Sequence, residues 1–324
     1  MGKSQENQMV AFTEKNRELK GEFNQIIDEF REGLWKYCRY LTGSPWDGED
    51  LFQETMVKAY GSIYQRWHPT NPKSYLYRIA TTTWIDHCRK QKRIVGHLEE
   101  EDVEVEYNAD SFDAEEAITY LVELFNPRQI AVFLLKEVFT FTAKEVAGMV
   151  QTTPGAVYAT VRRMQKQLSE NPIREKNQRP PSLDKADNNK VVQSYLKALN
   201  EGDVDKVLEL MCEHAQNEAP MGFQEFSKDE MRSGSMRFGL PGFRAEEHLL
   251  WGKNVIIVFF DAADGTRMIH DIQYQEVENE KIVLHKSFYF CKEFIFAAAD
   301  ELNFPPQLDK PVVDWSSESV VDNR

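Results

Sequence analysis

Between His97 and Glu116 the chain carries ten aspartates and glutamates and not one lysine or arginine. Such a stretch cannot enter a hydrophobic core, where every carboxylate would need a partner or give up its charge. It reads as a solvated, self-repelling connector. The chain is therefore divided before any secondary structure is considered. A second division falls at 171–186, inside ENPIREKNQRPPSLDKADNN, where three prolines sit among polar residues. The expected layout is an arm at 1–20, a unit at 21–96, the acidic linker at 97–116, a second unit at 117–170, a linker at 171–186, a third unit at 187–302 and a Pro/Ser/Asp-rich tail at 303–324.

A formal charge of −14 argues at first sight against nucleic acid as a partner, since phosphate contacts need a basic surface. The distribution reverses that conclusion. The linker and the C-terminal part from 177 onward carry the deficit, whereas the units before and after the linker are each net basic. Residues 66–93 concentrate the excess further, with Arg66, Lys73, Arg78, Arg89, Lys90, Lys92 and Arg93 set against Asp86 alone. Cys38, Cys88, Cys212 and Cys291 are scattered, without the paired spacing of a metal site. No metal and no cofactor is expected. No apolar run approaches membrane-spanning length and the N-terminus lacks a signal-type apolar core, so no membrane contact and a reducing cytoplasm are expected.

In the first unit Phe23, Ile27, Phe30, Leu34, Tyr37 and Leu41 recur at three- and four-residue steps, the spacing of an amphipathic helix ending near Gly43. A second helix from about Asp47 turns Phe52, Thr55, Met56 and Ala59 inward, leaving Asp50, Gln53, Glu54 and Lys58 outside. A third opens at Pro72 after Asn71, buries Leu76, Ile79, Ala80 and Thr83, and ends in the basic run RKQKR.

The ordered combination DLFQET (50–55), PKSYLYRIA (72–80) and IDHCR (85–89) resembles region 2 of the small, extracytoplasmic-function class of bacterial sigma-70-family factors. The resemblance implies that Asp50, Gln53 and Glu54 bind the clamp helices of RNA polymerase. It also implies that the following helices open and read the minus-10 promoter element through Arg78, Thr82, Trp84, Arg89, Lys90, Lys92 and Arg93. Aromatic walls beside cations suit an unstacked strand. One position departs from the pattern: where the family usually has Asn, this chain has Thr82, whose hydroxyl cannot make the two-pronged contact of an amide. Trp84 either stacks on DNA or packs inward, as an aromatic at helical spacing usually does.

The second unit holds a run in which Ile130, Phe133, Leu134 and Val138 are expected to be buried, then a capping box, Thr142-Ala143-Lys144-Glu145. A short helix follows to Met149, then a turn at Gln151. A second helix is capped by Thr153, with Pro154 in its first turn and Val157, Val161, Met164 and Leu168 inward. This is a helix-turn-helix. It resembles region 4 of the same family, which reads the minus-35 element and touches the polymerase flap. The outward residues Thr153, Gly155, Tyr158, Ala159, Arg162, Arg163 and Lys166 are the implied DNA contacts. Gln151 stands where that turn normally has Gly. Between regions 2 and 4 the family's linker threads through the polymerase cleft toward the RNA path. An acidic segment suits that basic route as well as it suits simple solvation.

The third unit begins with a helix from Asn188 to Asn200, an Asn-Glu-Gly-Asp turn and a second helix through Met211. Strand-like runs follow at about 244–251, 254–261, 267–278 and 281–290, and a terminal helix at about 292–302. This order looks like the SnoaL-like cone of the nuclear-transport-factor-2 superfamily. His214, His270, Asp271 and His285 are the candidate bases. His270 and Asp271, being adjacent on a strand, face opposite ways and form no dyad. A structural or ligand-binding role is therefore expected over catalysis. The fold class is multidomain, two all-α helical domains followed by an α+β cone.

The function expected is that of an alternative sigma factor, not an enzyme, that joins core RNA polymerase, directs it to promoter DNA and is regulated in cis by its third unit. Two alternatives stay open: a helix-turn-helix regulator with a ligand-sensing cone, and a SnoaL-like enzyme with a DNA-binding appendage. A small-molecule ligand of the cone and a separate anti-sigma protein also stay open.

Overall fold

A computed structural model describes residues 27–66, 71–95, 114–170, 186–237, 239–240, 244–307 and 310. The expected arm, most of the acidic linker, Phe23 and the tail beyond 310 lie outside the described residues. Those up to 170 form one compact unit and those from 186 onward another.

The first unit opens with helix α1 (27–42), whose Leu34, Trp35, Tyr37, Cys38 and Leu41 are buried. It stops at Gly43, where the chain takes a left-handed φ of 72°, the conformation glycine adopts without steric cost. Helix α2 (Pro45–Arg66) follows immediately. It approaches α1 closely at Gly48, where a Cβ would stand 2.6 Å from the Arg39 Cα. Phe52, Thr55, Met56 and Ala59 face inward as expected. Helix α3 (Pro72–Val95) packs on α2, and Lys58 of α2 donates to the Thr83 hydroxyl of α3 at 3.0 Å.

Helices α4 (Ala114–Leu124), α5 (Pro127–Phe133), α6 (Ala143–Met149) and α7 (Pro154–Glu170) build the helix-turn-helix part of the same unit. Between α5 and α6 the backbone widens into a π-helical segment, Leu134–Val138, closed by Phe139 N–H on Leu134 C=O at 2.9 Å. The widening corrects one expectation: Val138 is not buried but 46% exposed, while Leu135 is fully buried. A π turn takes an additional residue per turn. Side chains after it therefore rotate off the 3.6-residue register on which Val138 faced the core. Thr140 then takes φ 57° to reverse the chain. Gln151 takes φ 54° in the helix-turn-helix turn, the left-handed region expected for that position.

The reversal at Thr140 brings Phe139 and Phe141 against α1 and α3. Phe141 meets the Tyr77 ring at 4.9 Å, and Phe139 meets Tyr37 at 5.1 Å and Tyr77 at 5.6 Å. Tyr37, Tyr77 and Phe141 are buried in this seam, which joins the helix-turn-helix to the first three helices.

The second unit holds α8 (Ala186–Glu201), α9 (Val204–Leu210), β1 (Met211–Ala219), β2 (Phe223–Glu225), α10 (Lys228–Ser233), β3 (Arg244–Leu250), β4 (Lys253–Asp261), β5 (Arg267–Glu278), β6 (Lys281–Ser287) and α11 (Lys292–Leu302). Gly202 turns left-handed at φ 71° and Asp203 caps α9 through the Lys206 N–H. The strands form one sheet ordered β2-β1-β6-β5-β4-β3, antiparallel except for the β1–β6 pair. Tyr195 and Leu199 of α8 pack with Met211, Ile256, Val258 and Ile282 in its core.

Candidate functional site

The outward stripe of α2 is built by the four-residue repeat of the helix. Asp50 is exposed, and Gln53 and Glu54 are half-buried. Behind them Glu49 is only 1% exposed. It accepts the Trp35 indole N–H at 2.6 Å and the side-chain amide N–H of Gln53. Partial burial alone would raise the Glu54 carboxyl, but Lys58 at 2.8 Å and His87 at 2.7 Å hold it below the usual carboxylate range. The stripe is thus a row of oxygen acceptors, two of which are fixed from behind or beside. The sequence pattern contained Asp50, Gln53 and Glu54 but missed Glu49 and Trp35. A carboxylate one residue from the stripe and an indole one helix earlier carry no local signal that they meet.

On α3, Arg78, Thr82, Arg89 and Lys90 are exposed. Arg78 lies over the Tyr75 ring at 5.4 Å, and Arg89 pairs with Asp86 at 3.2 Å. The Thr82 hydroxyl donates back into its own helix, to the carbonyls of Arg78 at 2.9 Å and Ile79 at 3.0 Å. Thr81, beside it, is fully buried, donating to Tyr77 C=O at 2.7 Å and bonded to the Tyr37 hydroxyl at 2.8 Å. Trp84 is 6% exposed. This corrects its assignment as a DNA contact: two residues from Thr82 the helix has turned it to the core side, with Thr83, and it has no ring face to offer a base. The side chains of Arg66, Lys92 and Arg93 lie outside the described residues. Lys73 is spent otherwise, held 4.8 Å over the Phe141 ring.

The helix-turn-helix is locally well determined. Thr142 and Glu145 close their capping box, Glu145 N–H on the hydroxyl at 3.3 Å and Thr142 N–H on the carboxylate at 2.9 Å. Together with the Thr142 hydroxyl this holds the Glu145 carboxyl below its ordinary value. Its second oxygen accepts from Asn71 at 3.1 Å and Ser74 at 3.4 Å, both at the start of α3. Thr153 caps α7 through the Ala156 N–H at 3.2 Å. Val157, Val161 and Met164 are buried, while Thr153, Gly155, Tyr158, Ala159, Arg162, Arg163 and Lys166 are all exposed along one side. Tyr158 is 60% exposed, an unusual position for a ring without a partner surface. A cleft of about 260 Å³ between α5 and α7 is flanked by Arg128 and Arg163. Arg128 donates into the turn, to Gln151 C=O at 2.8 Å.

In the second unit a buried polar row crosses the face of the sheet that meets α8: Asp271, Gln273 and Gln275 on β5, His285 on β6 and Asn217 on β1, with the half-buried Ser287 of β6 beside them. Asp271 accepts from Ser287 at 2.8 Å and Gln273 at 3.0 Å, and Tyr195 donates to Gln273 at 3.3 Å. Burial raises the Asp271 carboxyl and lowers the His285 imidazole to about 4. His270 turns away from Asp271 to bond Gln307 at 2.6 Å, and His214 is exposed on β1. The four candidate bases are thus not brought together. Among the described residues no cluster of His, Cys, Asp and Glu is arranged to hold a metal ion, and no helix is long and apolar enough to cross a membrane.

Comparison with known proteins agrees with the helical geometry. Residues 26–94, the stretch that forms α1, α2 and α3, match the family model of sigma-70 region 2. The chain is similar to the extracytoplasmic-function RNA polymerase sigma factor SigG of Mycobacterium tuberculosis, 25% identical over 238 residues. The alignment covers 63% of this chain and 62% of that relative. Among solved structures it is similar to the sigma factor RpoE of Bartonella quintana, determined with the anti-sigma factor NepR, at a TM-score of 0.39, 22% identity and coverage of 46% and 95%. It is also similar to the extracytoplasmic-function sigma factor SigJ of Mycobacterium tuberculosis, at a TM-score of 0.32, 19% identity and coverage of 82% and 95%.

Proposed function

We propose that this chain, whose first three helices match the sigma-70 region 2 model and which is similar to extracytoplasmic-function sigma factors, is an alternative sigma factor. It binds core RNA polymerase in the cytoplasm and directs it to a dedicated set of promoters, without chemistry of its own. The observation that carries this reading is the conjunction of two surfaces in one unit. The α2 stripe offers carboxylate and amide oxygens to a cationic partner, and the α7 face offers small residues, an exposed tyrosine and three cations to a DNA groove. Small side chains allow close approach, and arginine and lysine reach base edges and phosphates. Asp50, Gln53 and Glu54 are the polymerase contacts. Arg78, Thr82, Arg89 and Lys90, with Lys92 and Arg93, serve the minus-10 element, and Thr153, Gly155, Tyr158, Ala159, Arg162, Arg163 and Lys166 serve the minus-35 element. The sheet domain acts in cis. Its tether supplies an effective concentration in the millimolar range, so that even weak docking matters.

The test is a reconstituted one. Purified chain and core polymerase are mixed, binding is measured, and run-off transcription is followed on genomic fragments with and without the chain. Stable binding and promoter-dependent transcripts are expected, and Asp50→Lys should abolish both. A chain that binds DNA but not core polymerase would instead be a free-standing regulator.

A further inference from the structure

Helix α2 carries two residues that its own packing does not explain. Val57 is 65% exposed, the most exposed large apolar side chain among the described residues. Gly61, one turn further on and still inside a helix that runs to Arg66, is exposed as well. A Cβ added there would meet nothing within 4 Å among the described residues. The glycines before it each have a reason within the fold. A Cβ at Gly33 would stand 2.8 Å from the Tyr77 hydroxyl, Gly43 turns left-handed, and Gly48 lies against α1. Gly61 has no such reason in the free chain. Glycine is nevertheless among the poorest residues for a helix interior, and valine is a weak one. On an exposed face, where packing does not decide, propensity favours neither.

Their place on the helix supplies the reason. At 3.6 residues per turn, Val57 and Gly61 fall within about 20° of Asp50 around the axis, so the three share one line about 16 Å long. An exposed apolar side chain gains from being covered, and a missing Cβ lets another backbone approach closely. We infer that Val57 and Gly61 extend the polymerase contact along α2, Val57 as an apolar anchor and Gly61 as the point where the partner's backbone comes nearest. The inference rests on the reading of α2 as a polymerase contact. It also names the chemistry of the opposing surface: basic side chains toward Asp50, apolar ones toward Val57, and backbone opposite Gly61. An apolar centre bordered by polar groups is the usual anatomy of such a patch. Neither residue hydrogen-bonds through its side chain, so the contact needs no polar group that α2 already uses.

The experiment measures binding of the full-length chain to core RNA polymerase for wild type, Asp50→Lys, Val57→Thr, Gly61→Ala and Gly61→Leu, at one salt concentration, with a thermal melt of each. Val57→Thr keeps the shape of the side chain and exchanges one methyl for a hydroxyl. Covering that hydroxyl without a partner should weaken the complex at least about fivefold, while the melt stays as in wild type. Gly61→Ala should raise the melting temperature of the helical unit by about 2–5 °C, alanine being the better helix residue, and yet weaken binding. Gly61→Leu should weaken it further, by about 5- to 150-fold, the penalty of forcing a side chain into a closely packed contact. Higher stability together with poorer binding is a result that a purely structural role for Gly61 does not produce. With Asp50→Lys binding weakly, wild-type binding by either Val57→Thr or Gly61→Leu overturns the inference. If Gly61→Leu melts below wild type, Gly61→Ala decides in its place, and its binding as wild type does is then the refutation. Failure of the wild type to bind, or of Asp50→Lys to weaken binding, defeats the polymerase reading itself.

Discussion

Thr82 is where the minus-10 reading of α3 is most exposed to test, because its hydroxyl is already engaged. The single proton is shared between the carbonyls of Arg78 at 2.9 Å and Ile79 at 3.0 Å. To donate to a base it must give up that bond, a cost of about 0.5–1.5 kcal/mol that consumes most of what the new bond returns. Thr82→Asn installs two donors and an acceptor on an exposed helical position. Asn and Thr have similar helix propensity, so stability should move by less than about 0.5 kcal/mol. A two-pronged amide contact to a base is worth about 1–3 kcal/mol of discrimination, or roughly 5- to 150-fold between the right and the wrong base. The assay is run-off transcription by reconstituted holoenzyme on templates randomised one minus-10 position at a time. Wild type should show a shallow preference at one position, which the variant sharpens at least about fivefold, leaving the others unchanged. A variant that binds polymerase normally and keeps the wild-type preference profile would show that residue 82 does not face a base.

Two further outcomes follow from packing and protonation. Phe141 and Tyr77 meet edge to face at 4.9 Å, so a Phe141→Leu and Tyr77→Leu cycle in urea unfolding should give a coupling of about 0.5–1.5 kcal/mol. Strict additivity would mean that the helix-turn-helix does not share its stability with α3. In the sheet domain, burial lowers the folded His285 imidazole to about 4, whereas an unfolded histidine titrates near 6.5. The unfolded chain therefore binds more protons between those values. The stability His285 permits is complete above about pH 6.5 and is lost as pH falls toward 4, by about 3 kcal/mol in total. Asp271, raised by burial, contributes with the opposite sign. The test is therefore the difference between wild type and His285→Gln in melting temperature from pH 7 to 5. Parallel curves would mean that the imidazole is not desolvated.

What could be read from the sequence, and what could not, separates by the distance along the chain over which each feature is decided. The caps at Thr142 and Thr153, the left-handed turn at Gln151, the inward rows of α2 and α7 and the Asp203 cap are each set within four residues. Periodicity and side-chain chemistry suffice for them. Val138 escaped because a π turn is a backbone choice imposed by the tertiary seat of Phe139 and Phe141. Strand β1 escaped for a different reason: MCEHAQNEA has no β-branched residue. It becomes a strand through its pairing with β2 and β6 and through the burial of Ala215, Asn217 and Ala219. The larger omissions are all between elements: Trp35 with Glu49, Tyr37 with Thr81, Asn71 and Ser74 with Glu145. Each is a polar group that local pattern assigns to solvent or to a cap. Glu145 shows why that assignment falls short. One oxygen serves the capping box that the sequence displays, and the other holds α3. A residue doing both cannot be replaced by glutamine without leaving the second set of donors an acceptor that must also satisfy its own NH₂. The same reasoning applies to Glu49, and it explains why the two most informative carboxylates of this unit are ones whose spacing identifies only half of what they touch.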